Sequence, residues 1–215
     1  IFPANITLVL KAGVNLLLKP GVNIFIRGVV RILGTAAKPV SISPFSEEGP
    51  WGVFAVVGAH GTSVVRHLVL SGGSAGWVSG MFFTGQANFF HADVDVEDST
   101  FTRAHGDDGL NVKRGRVDIL RSRFVDNISD GFDGDFIEGK ISDSVITNNG
   151  GDGLDFAGSQ VIVKDTYFSG MGDKAISIGE KSSVVVYNSV VRDSTIGIAS
   201  KDLSKTRIFS TALIG

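Results

Sequence analysis

The chain has 215 residues, 43% of them hydrophobic and 20% charged, with a formal net charge of −2. This length can bury one sizeable core and does not require a second domain. The balance of charge argues against a nucleic acid as partner, because nucleic-acid-binding domains carry a basic surface. The sequence contains no cysteine, which excludes disulfide bonds and thiolate chemistry.

The first hundred residues contain short apolar runs separated by polar or glycine-rich turns. "AGVN" and "PGVN" recur eight residues apart near the start, and later runs include "WGVFAVVG", "SVVRHLVLSG", "GMFFTG" and "ADVDVEDSTF". These runs have the length of strands and are far too short to cross a bilayer, so we predict no membrane span. No signal peptide is present and the chain opens at Ile1, which we interpret as a processed protein or an excised domain.

A repeat of 22 residues begins at residue 108. "DGLN" at 108–111 recurs as "DGFD" at 130–133 and "DGLD" at 152–155, and the register continues through "KAIS" at 174–177 and "IGIA" at 196–199. Each period holds three short β-rich pieces, such as "GLDF", "VIVK" and "YFSG", and no helix-length apolar stripe. Three strands per 22-residue turn predict an all-β solenoid, a right-handed parallel β-helix.

We predict one β-helix domain over residues 1–215, with irregular longer coils over 1–104 and regular coils over 105–215. Residues 22 apart then become vertical neighbours about 4.8 Å apart. The predicted inward column is Leu110, Phe132, Leu154, Ile176 and Ile198. The predicted outward columns are Asn111, Asp133, Asp155 and Ser177, and then Lys113, Asp135, Ala157 and Gly179. A further column predicts a smooth channel on the same face: Gly109, Gly131, Gly153, Ala175 and Gly197.

The outward columns collect carboxylates at Asp133, Asp135 and Asp155. Two carboxylates about 4.8 Å apart repel by roughly 3 kcal/mol at an effective dielectric constant of 20. A cation, a nearby lysine or a raised pKa has to offset this repulsion. Lys113 lies one coil below Asp135 and can do so alone. Calcium at Asp133, Asp135 and Asp155 is the alternative, because hard oxygen ligands suit it. Thirteen of the 22 acidic residues lie between 107 and 173 against seven basic ones, which favours attraction of a cation.

Other polar residues of the repeat have simpler interpretations. Asp108, Asp130 and Asp152 each precede a glycine, and this pair is typical of turns. Asn127 and Asn149 lie 22 residues apart and predict a stacked amide ladder in a turn.

Two tryptophans and one histidine complete the set of candidates. His105 is the only histidine near the acidic face, and the four histidines have no zinc-binding spacing. Trp77 lies in a glycine-rich stretch, where it either packs in a loop or stacks on a sugar ring. Trp51 is expected to start a strand and to lie in the core.

The motifs "DGLNVK", "SDGFDGDF", "GDGLDFAGS", "GDKAISIGEKS" and "GIASKDLS" resemble right-handed β-helix repeat proteins of the pectate-lyase-like superfamily. More narrowly, they resemble β-helix repeats found beside spore-coat-H-type kinase domains. The superfamily implies lyases that use carboxylate-bound calcium and a Lys or Arg base, and hydrolases with Asp residues on adjacent coils. Carried over, this implies Asp133 and Asp155 as catalytic carboxylates and Lys113 as a base. With the absence of cysteine, it also implies an extracellular or cell-envelope location.

Three functions follow as hypotheses. The first is a non-catalytic module that binds an acidic or neutral polysaccharide, or a protein partner, through Asn111, Asp135, His105 and Trp77, with or without calcium. The second is a polyuronate lyase or a polysaccharide hydrolase that uses the outward carboxylates. No catalytic string of those enzyme families matches the sequence. The third is a surface or tail-fibre segment that trimerises. The apolar "STALIG" end of the rod predicts a continuation, a partner or self-association there.

Overall fold

The computed structural model describes residues 1–215 and consists of strands, turns and loops without a helix. The strands before the regular repeats are β1 (Leu8–Lys11), β2 (Asn15–Leu18), β3 (Ile24–Ile26), β4 (Val30–Leu33), β5 (Val40–Pro44), β6 (Phe54–Val57), β7 (Ser63–Arg66), β8 (Leu68–Ser71), β9 (Gly76–Val78), β10 (Met81–Phe83), β11 (Gly85–Phe90), β12 (Val94–Glu97) and β13 (Thr100–Thr102).

The strands of the regular repeats are β14 (Asp108–Lys113), β15 (Arg116–Leu120), β16 (Arg123–Val125), β17 (Asp130–Asp135), β18 (Glu138–Ser142), β19 (Val145–Thr147), β20 (Leu154–Ala157), β21 (Gln160–Lys164), β22 (Tyr167–Ser169), β23 (Lys174–Gly179), β24 (Ser183–Tyr187), β25 (Val190–Arg192), β26 (Ile196–Ser200), β27 (Lys205–Phe209) and β28 (Ala212–Ile214). None of the secondary structure is a helix of the length and apolar character that a membrane crossing needs.

Three parallel sheets run along the rod, and each coil contributes one strand to each sheet. Sheet 1 contains β3, β6, β11, β14, β17, β20, β23 and β26. Sheet 2 contains β1, β4, β7, β12, β15, β18, β21, β24 and β27. Sheet 3 contains β2, β5, β8, β13, β16, β19, β22, β25 and β28. The chain is therefore a parallel β-helix with three strands per turn, which confirms the predicted fold class.

The predicted inward column of the regular coils is confirmed. Leu110 pairs with Phe132 across β14 and β17, and the pairing continues upward to Leu154, Ile176 and Ile198. The first four side chains are fully buried, and Ile198 packs against the same core. Aromatic rings also stack inside the rod between coils: the ring centroids of Phe101 and Phe124 lie 5.2 Å apart in nearly parallel planes. Burying this apolar ladder supplies the main favourable free energy of folding.

The irregular first coils carry an insertion that the sequence did not reveal. The strand predicted in "GMFFTG" is β10, but it pairs with β9 as an antiparallel hairpin outside the three sheets. Val78 pairs with Met81, which leaves Ser79 and Gly80 as a two-residue turn with φ of 51° and 79°. Positive φ at both positions is the geometry of the tight turns that join antiparallel strands. This turn therefore closes a hairpin instead of a coil.

Trp51 lies in the core, as predicted, although its strand β6 begins only at Phe54. Its side chain has no exposed surface, and its indole Nε1 donates a hydrogen bond of 2.8 Å to the main-chain oxygen of Ser71. Burial of the one polar atom of the ring is thus compensated.

The predicted amide ladder is confirmed. The Asn127 side-chain nitrogen donates to Asn149 Oδ1 at 2.9 Å, and the same oxygen accepts the Asn127 main-chain N–H at 3.1 Å. Asn149 Nδ2 donates to the main-chain oxygen of Phe124 at 3.2 Å. Both asparagines are almost fully buried. The ladder therefore satisfies main-chain groups at the turn that leads from sheet 3 into sheet 1.

We expect Asn149→Ala to destabilise the protein by roughly 3 kcal/mol, because it leaves buried partners of three hydrogen bonds unpaired. The melting temperature should fall by about 6–12 °C. Asn148→Gly is the matched control, because Asn148 is exposed and its φ of 57° suits glycine. Differential scanning calorimetry measures both variants. Equal melting temperatures for the two would contradict a stabilising ladder.

Candidate functional site

A half-enclosed cleft lies on sheet 1, beside the β9–β10 hairpin. It has a volume of about 330 Å³. One wall is mainly apolar and comes from β10, β11 and the residue between them: Met81, Phe82, Phe83, Thr84 and Phe90. The other wall is polar and comes from β14 and β17: Asn111, Lys113, Asp133 and Asp135.

The alternation of side chains along each strand determines which residues form the polar wall. Leu110 and Val112 of β14 are fully buried, so Asn111 and Lys113 point out of the coil into the cleft. The parallel register between β14 and β17 sets each of them against an aspartate. Asn111 lies opposite Asp133, and Lys113 lies opposite Asp135.

Both aspartates of the cleft accept a hydrogen bond from the coil below. Lys113 Nζ donates to Asp135 Oδ2 at 2.6 Å, so the predicted pairing of this lysine with Asp135 is confirmed. Asn111 Nδ2 donates to Asp133 Oδ2 at 2.7 Å. The lysine thus neutralises Asp135, whereas Asp133 receives only a neutral donor.

Asp133 is the carboxyl group with the least compensation in the cleft. Burial raises the pKa of Asp133 well above its ordinary value, and the carboxylates of Asp108, Asp135, Asp155 and Asp130 raise it further. Burial also raises the pKa of Asp155, which pairs with Asp133 one coil above. Asp133 therefore holds a proton more tightly than an ordinary aspartate does, and no ammonium group contacts it.

A second column of aspartates lies at the entry to sheet 1, and its role goes beyond turn formation. Asp130 Oδ1 accepts the main-chain N–H of Asp152 at 2.7 Å, and Asp152 Oδ1 accepts the main-chain N–H of Lys174 at 2.8 Å. Lys174 Nζ also lies 3.2 Å from Asp152 Oδ1. These carboxylates therefore join successive coils. The 22-residue recurrence of Asp was the signal for this role.

Asp108 occupies the lowest position of this column, and its carboxylate does not accept a main-chain N–H of the next coil, because the N–H of Asp130 donates to the main-chain oxygen of Asp107. It is only 2% exposed, and its Oδ2 atom has no hydrogen-bond donor. Burial raises the pKa of Asp108 to about 7, although a hydrogen bond with Thr84 acts in the opposite direction. Burial likewise raises the pKa of Asp130 to about 6. The acidic face thus holds several carboxyl groups that change protonation near neutral pH.

The carboxylates that converge differ from the calcium ligands predicted from the sequence. Oxygen atoms of Asp130, Asp152 and Asp155 lie within 4.8 Å of one another, whereas Asp133 and Asp135 belong to the cleft. Calcium takes six to eight oxygen ligands. Here the Lys174 ammonium contacts Asp152, and Asp130 and Asp152 each give an oxygen to a main-chain N–H. This donor set fits calcium poorly, and calcium at Asp133, Asp135 and Asp155 stays a prediction.

The predicted glycine-lined channel is wrong. A Cβ atom built on Gly131 would lie 3.0 Å from Asn149 Nδ2 and 3.1 Å from Phe124 Cβ, inside the coil. Gly109 faces Asn127 in the same way, also at 3.0 Å. A side chain at Gly109 or Gly131 would collide with the main-chain oxygen of the next coil, 2.7 Å away, and then with the amide ladder.

Trp77 and His105 lie outside the lining of the cleft. Trp77 belongs to β9 and not to a loop; it is 70% exposed, and its ring centroid lies 5.4 Å from that of Phe82, which does line the cleft. His105 is exposed and lines a separate depression with Arg103. Sequence reasoning missed the aromatic wall, and the only signal for it was the aromatic content of "GMFFTG" and "ANFF".

We expect the protein to lose stability as pH rises from about 4 to about 7. Asp108 and Asp130 have folded-state pKa values of about 7 and about 6, above the ordinary 3.8, so the folded state holds more protons in this window. One pKa unit corresponds to about 1.4 kcal/mol. The melting temperature should therefore be about 5 °C or more higher at pH 5 than at pH 7.5.

Asp130→Asn should shrink this difference, because the asparagine oxygen can still accept the N–H of Asp152 while the titrating group is gone. The pKa values of Asp98 and Asp165 are lowered, so these two residues change the stability of the protein only below the pH window from 4 to 7. A melting temperature that rises steadily from pH 5 to pH 7.5 would contradict the raised pKa values of Asp108 and Asp130.

Solved structures of known proteins share this architecture. An alginate lyase from Paenibacillus sp. aligns at a TM-score of 0.50 and 16% identity, over 96% of this chain and 76% of that one. The Agl-KA catalytic domain aligns at a TM-score of 0.47 and 14% identity, over 95% of this chain and 48% of that one. The periplasmic alginate epimerase AlgG aligns at a TM-score of 0.45 and 10% identity, over 92% of this chain and 61% of that one. The chain thus spans less than two thirds of the length of the Agl-KA domain and of AlgG.

At 16% identity, the alignment with the alginate lyase supports the fold alone. None of the curated proteins matches this chain. The narrower resemblance to repeats beside spore-coat-H-type kinase domains stays a prediction. The sequence profile of the family described as "Right handed beta helix region" matches residues 79–212, which is more than half of the chain. The protein therefore belongs to the right-handed β-helix family.

Proposed function

We propose that the protein binds a carbohydrate chain in the cleft on sheet 1 and acts as a binding module. The observation that carries this proposal is the two-sided character of the cleft. Phe82 and Phe90 offer aromatic surface, and the facing strands offer a row of hydrogen-bonding groups. A sugar ring has an apolar C–H face and a rim of hydroxyl groups, so it can satisfy both walls at once.

The polar wall is suited to hydroxyl groups because its members are already oriented. The Lys113–Asp135 ion pair and the Asn111–Asp133 hydrogen bond hold four side chains at successive positions of two parallel strands. An ordered set of donors and acceptors binds without a large loss of side-chain entropy. The volume of about 330 Å³ is at the small end for ligand sites, which suits one or two sugar rings of a longer chain.

The state of Lys113 supports binding more than base catalysis. Its ammonium donates to Asp135 at 2.6 Å, and a general base needs a free lone pair in place of this bond. No catalytic string of the lyase families occurs in the sequence. A carbohydrate ligand also fits the extracellular or cell-envelope location that the family resemblance implies.

A polysaccharide hydrolase is the second candidate, and one observation favours it. The raised pKa of Asp133 favours the protonated form that a general acid needs, and Asp155 provides a second carboxyl group one coil above. A protonated acid near a second carboxyl group is the arrangement that glycoside hydrolysis uses. The same cleft would then bind and cleave its ligand.

The binding proposal predicts that Phe82→Ala weakens binding about tenfold, which corresponds to about 1.4 kcal/mol. Phe209→Ala is the matched control, since Phe209 is 54% exposed, close to the 52% of Phe82, and does not line the cleft. A glycan array identifies ligands, and titration calorimetry measures the affinities. A blank array, or equal losses for both variants, would reject the proposal.

Incubation with pectate, alginate and neutral polysaccharides separates binding from catalysis. A binding module leaves both the reducing-end content and the ultraviolet absorbance of the polymers unchanged. New reducing ends that disappear in Asp133→Asn would establish the hydrolase. Unsaturated ends that disappear in Lys113→Ala would establish the lyase.

A further inference from the structure

We propose that the cleft selects carbohydrate chains that carry protonated amino groups and discriminates against uronates. This inference rests on the proposed function, because it names the class of sugar that the same cleft binds. It is carried by the arrangement of charged groups on β14, β17 and β20, together with the aromatic wall opposite them.

Carboxyl groups outnumber the cations around the cleft. Lys113 is the only cation of the lining, and its ammonium is bound to Asp135. Behind the lining, the Lys174 ammonium is bound to Asp152 and Asp173, and Lys201 acts on Asp155. The carboxyl groups left without an ammonium partner are Asp108, Asp130 and Asp133. Of these three, Asp133 alone lines the cleft, so it is the carboxyl group with which a cationic ligand can pair.

Asp133 marks where positive charge is missing in the cleft. It lines the cleft and receives a hydrogen bond from the Asn111 amide alone. Asp108 Oδ2 has no hydrogen-bond donor, but Asp108 is almost fully enclosed and does not line the cleft. An ammonium group brings three N–H donors and a positive charge, so it supplies what Asp133 lacks.

A uronate would bring a further carboxylate into a cleft whose one ammonium group is already bound to Asp135. That carboxylate would lose part of its hydration without gaining a cation, which is unfavourable in a half-enclosed cleft. A neutral sugar avoids this cost but brings no positive charge to Asp133. The order of preference that follows is amino sugar, then neutral sugar, then uronate.

Binding of an ammonium group is coupled to release of a proton. Burial and the neighbouring carboxylates raise the pKa of Asp133, so the free cleft binds a proton there more tightly than an ordinary aspartate does. A bound cation favours the ionised carboxylate and lowers that pKa. Binding of an amino group at Asp133 should therefore release protons from the protein.

The test compares three oligosaccharides of equal length: a β-1,4-linked glucosamine hexamer, its fully N-acetylated form and a hexamer of galacturonate. Titration calorimetry at pH 6 and low salt should give at least tenfold tighter binding of the glucosamine hexamer than of the acetylated one. The galacturonate hexamer should bind weakest. Raising the salt concentration should weaken only the preference for the glucosamine hexamer over the acetylated one, because salt screens the charge–charge interactions on which this preference depends.

Calorimetry in two buffers of different ionisation enthalpy counts the released protons. Asp133→Asn should abolish the release and reduce the preference for glucosamine to less than threefold. The variant keeps the size of the side chain and can retain the hydrogen bond from Asn111. Asp126→Asn is the control: it makes the same change on an exposed residue outside the cleft, at a φ of 57° that asparagine tolerates, and should behave like the parent protein.

Each outcome bears on one of the two proposals. Equal affinity for the glucosamine and acetylated hexamers overturns the preference for amino sugars and leaves carbohydrate binding intact. Tighter binding of the galacturonate hexamer also overturns the preference. Failure of all three hexamers and of every glycan on the array overturns both proposals together.

Discussion

Coil-on-coil hydrogen bonding in a constant register is the constraint on which the molecule depends. Each strand of sheet 1 pairs in parallel with the next, so residue 110 lies under 132, 132 under 154 and 154 under 176. A repeated residue type thereby becomes a continuous column. Inside the rod this is favourable, because apolar and amide side chains that recur in the sequence stack on their own kind.

On the outer face the same register brings like charges together, and the protein compensates them in three ways. An ion pair with Lys113 neutralises Asp135. Main-chain N–H groups of the following coils bind Asp130 and Asp152. Asp133 has neither, so burial and repulsion raise its pKa and favour its protonated form. The cleft holds the least compensated group, which is why its chemistry is tied to the charge of its ligand.

The failures of sequence reasoning have local physical causes. Alternation along a strand correctly placed Asn111, Lys113, Asp133 and Asp135 on one face, but it failed at Gly131, which is buried like its neighbour Phe132. The glycine column packs against the next coil and the amide ladder. The hairpin of β9 and β10 was missed because its strands look like those of the coils, and only the positive φ of its turn distinguishes them.

The sequence by itself determined the coil, the apolar ladder, the amide ladder and the pairing of Lys113 with Asp135, because a period of 22 residues fixes which side chains are vertical neighbours. Tertiary structure decided the rest. Only the folding back of the hairpin places an aromatic wall opposite the aspartates, and only burial decides which carboxyl groups keep a proton. The aromatic wall and the protonation of the carboxyl groups both depend on how much solvent each group loses on folding. A repeat pattern carries no information about that loss.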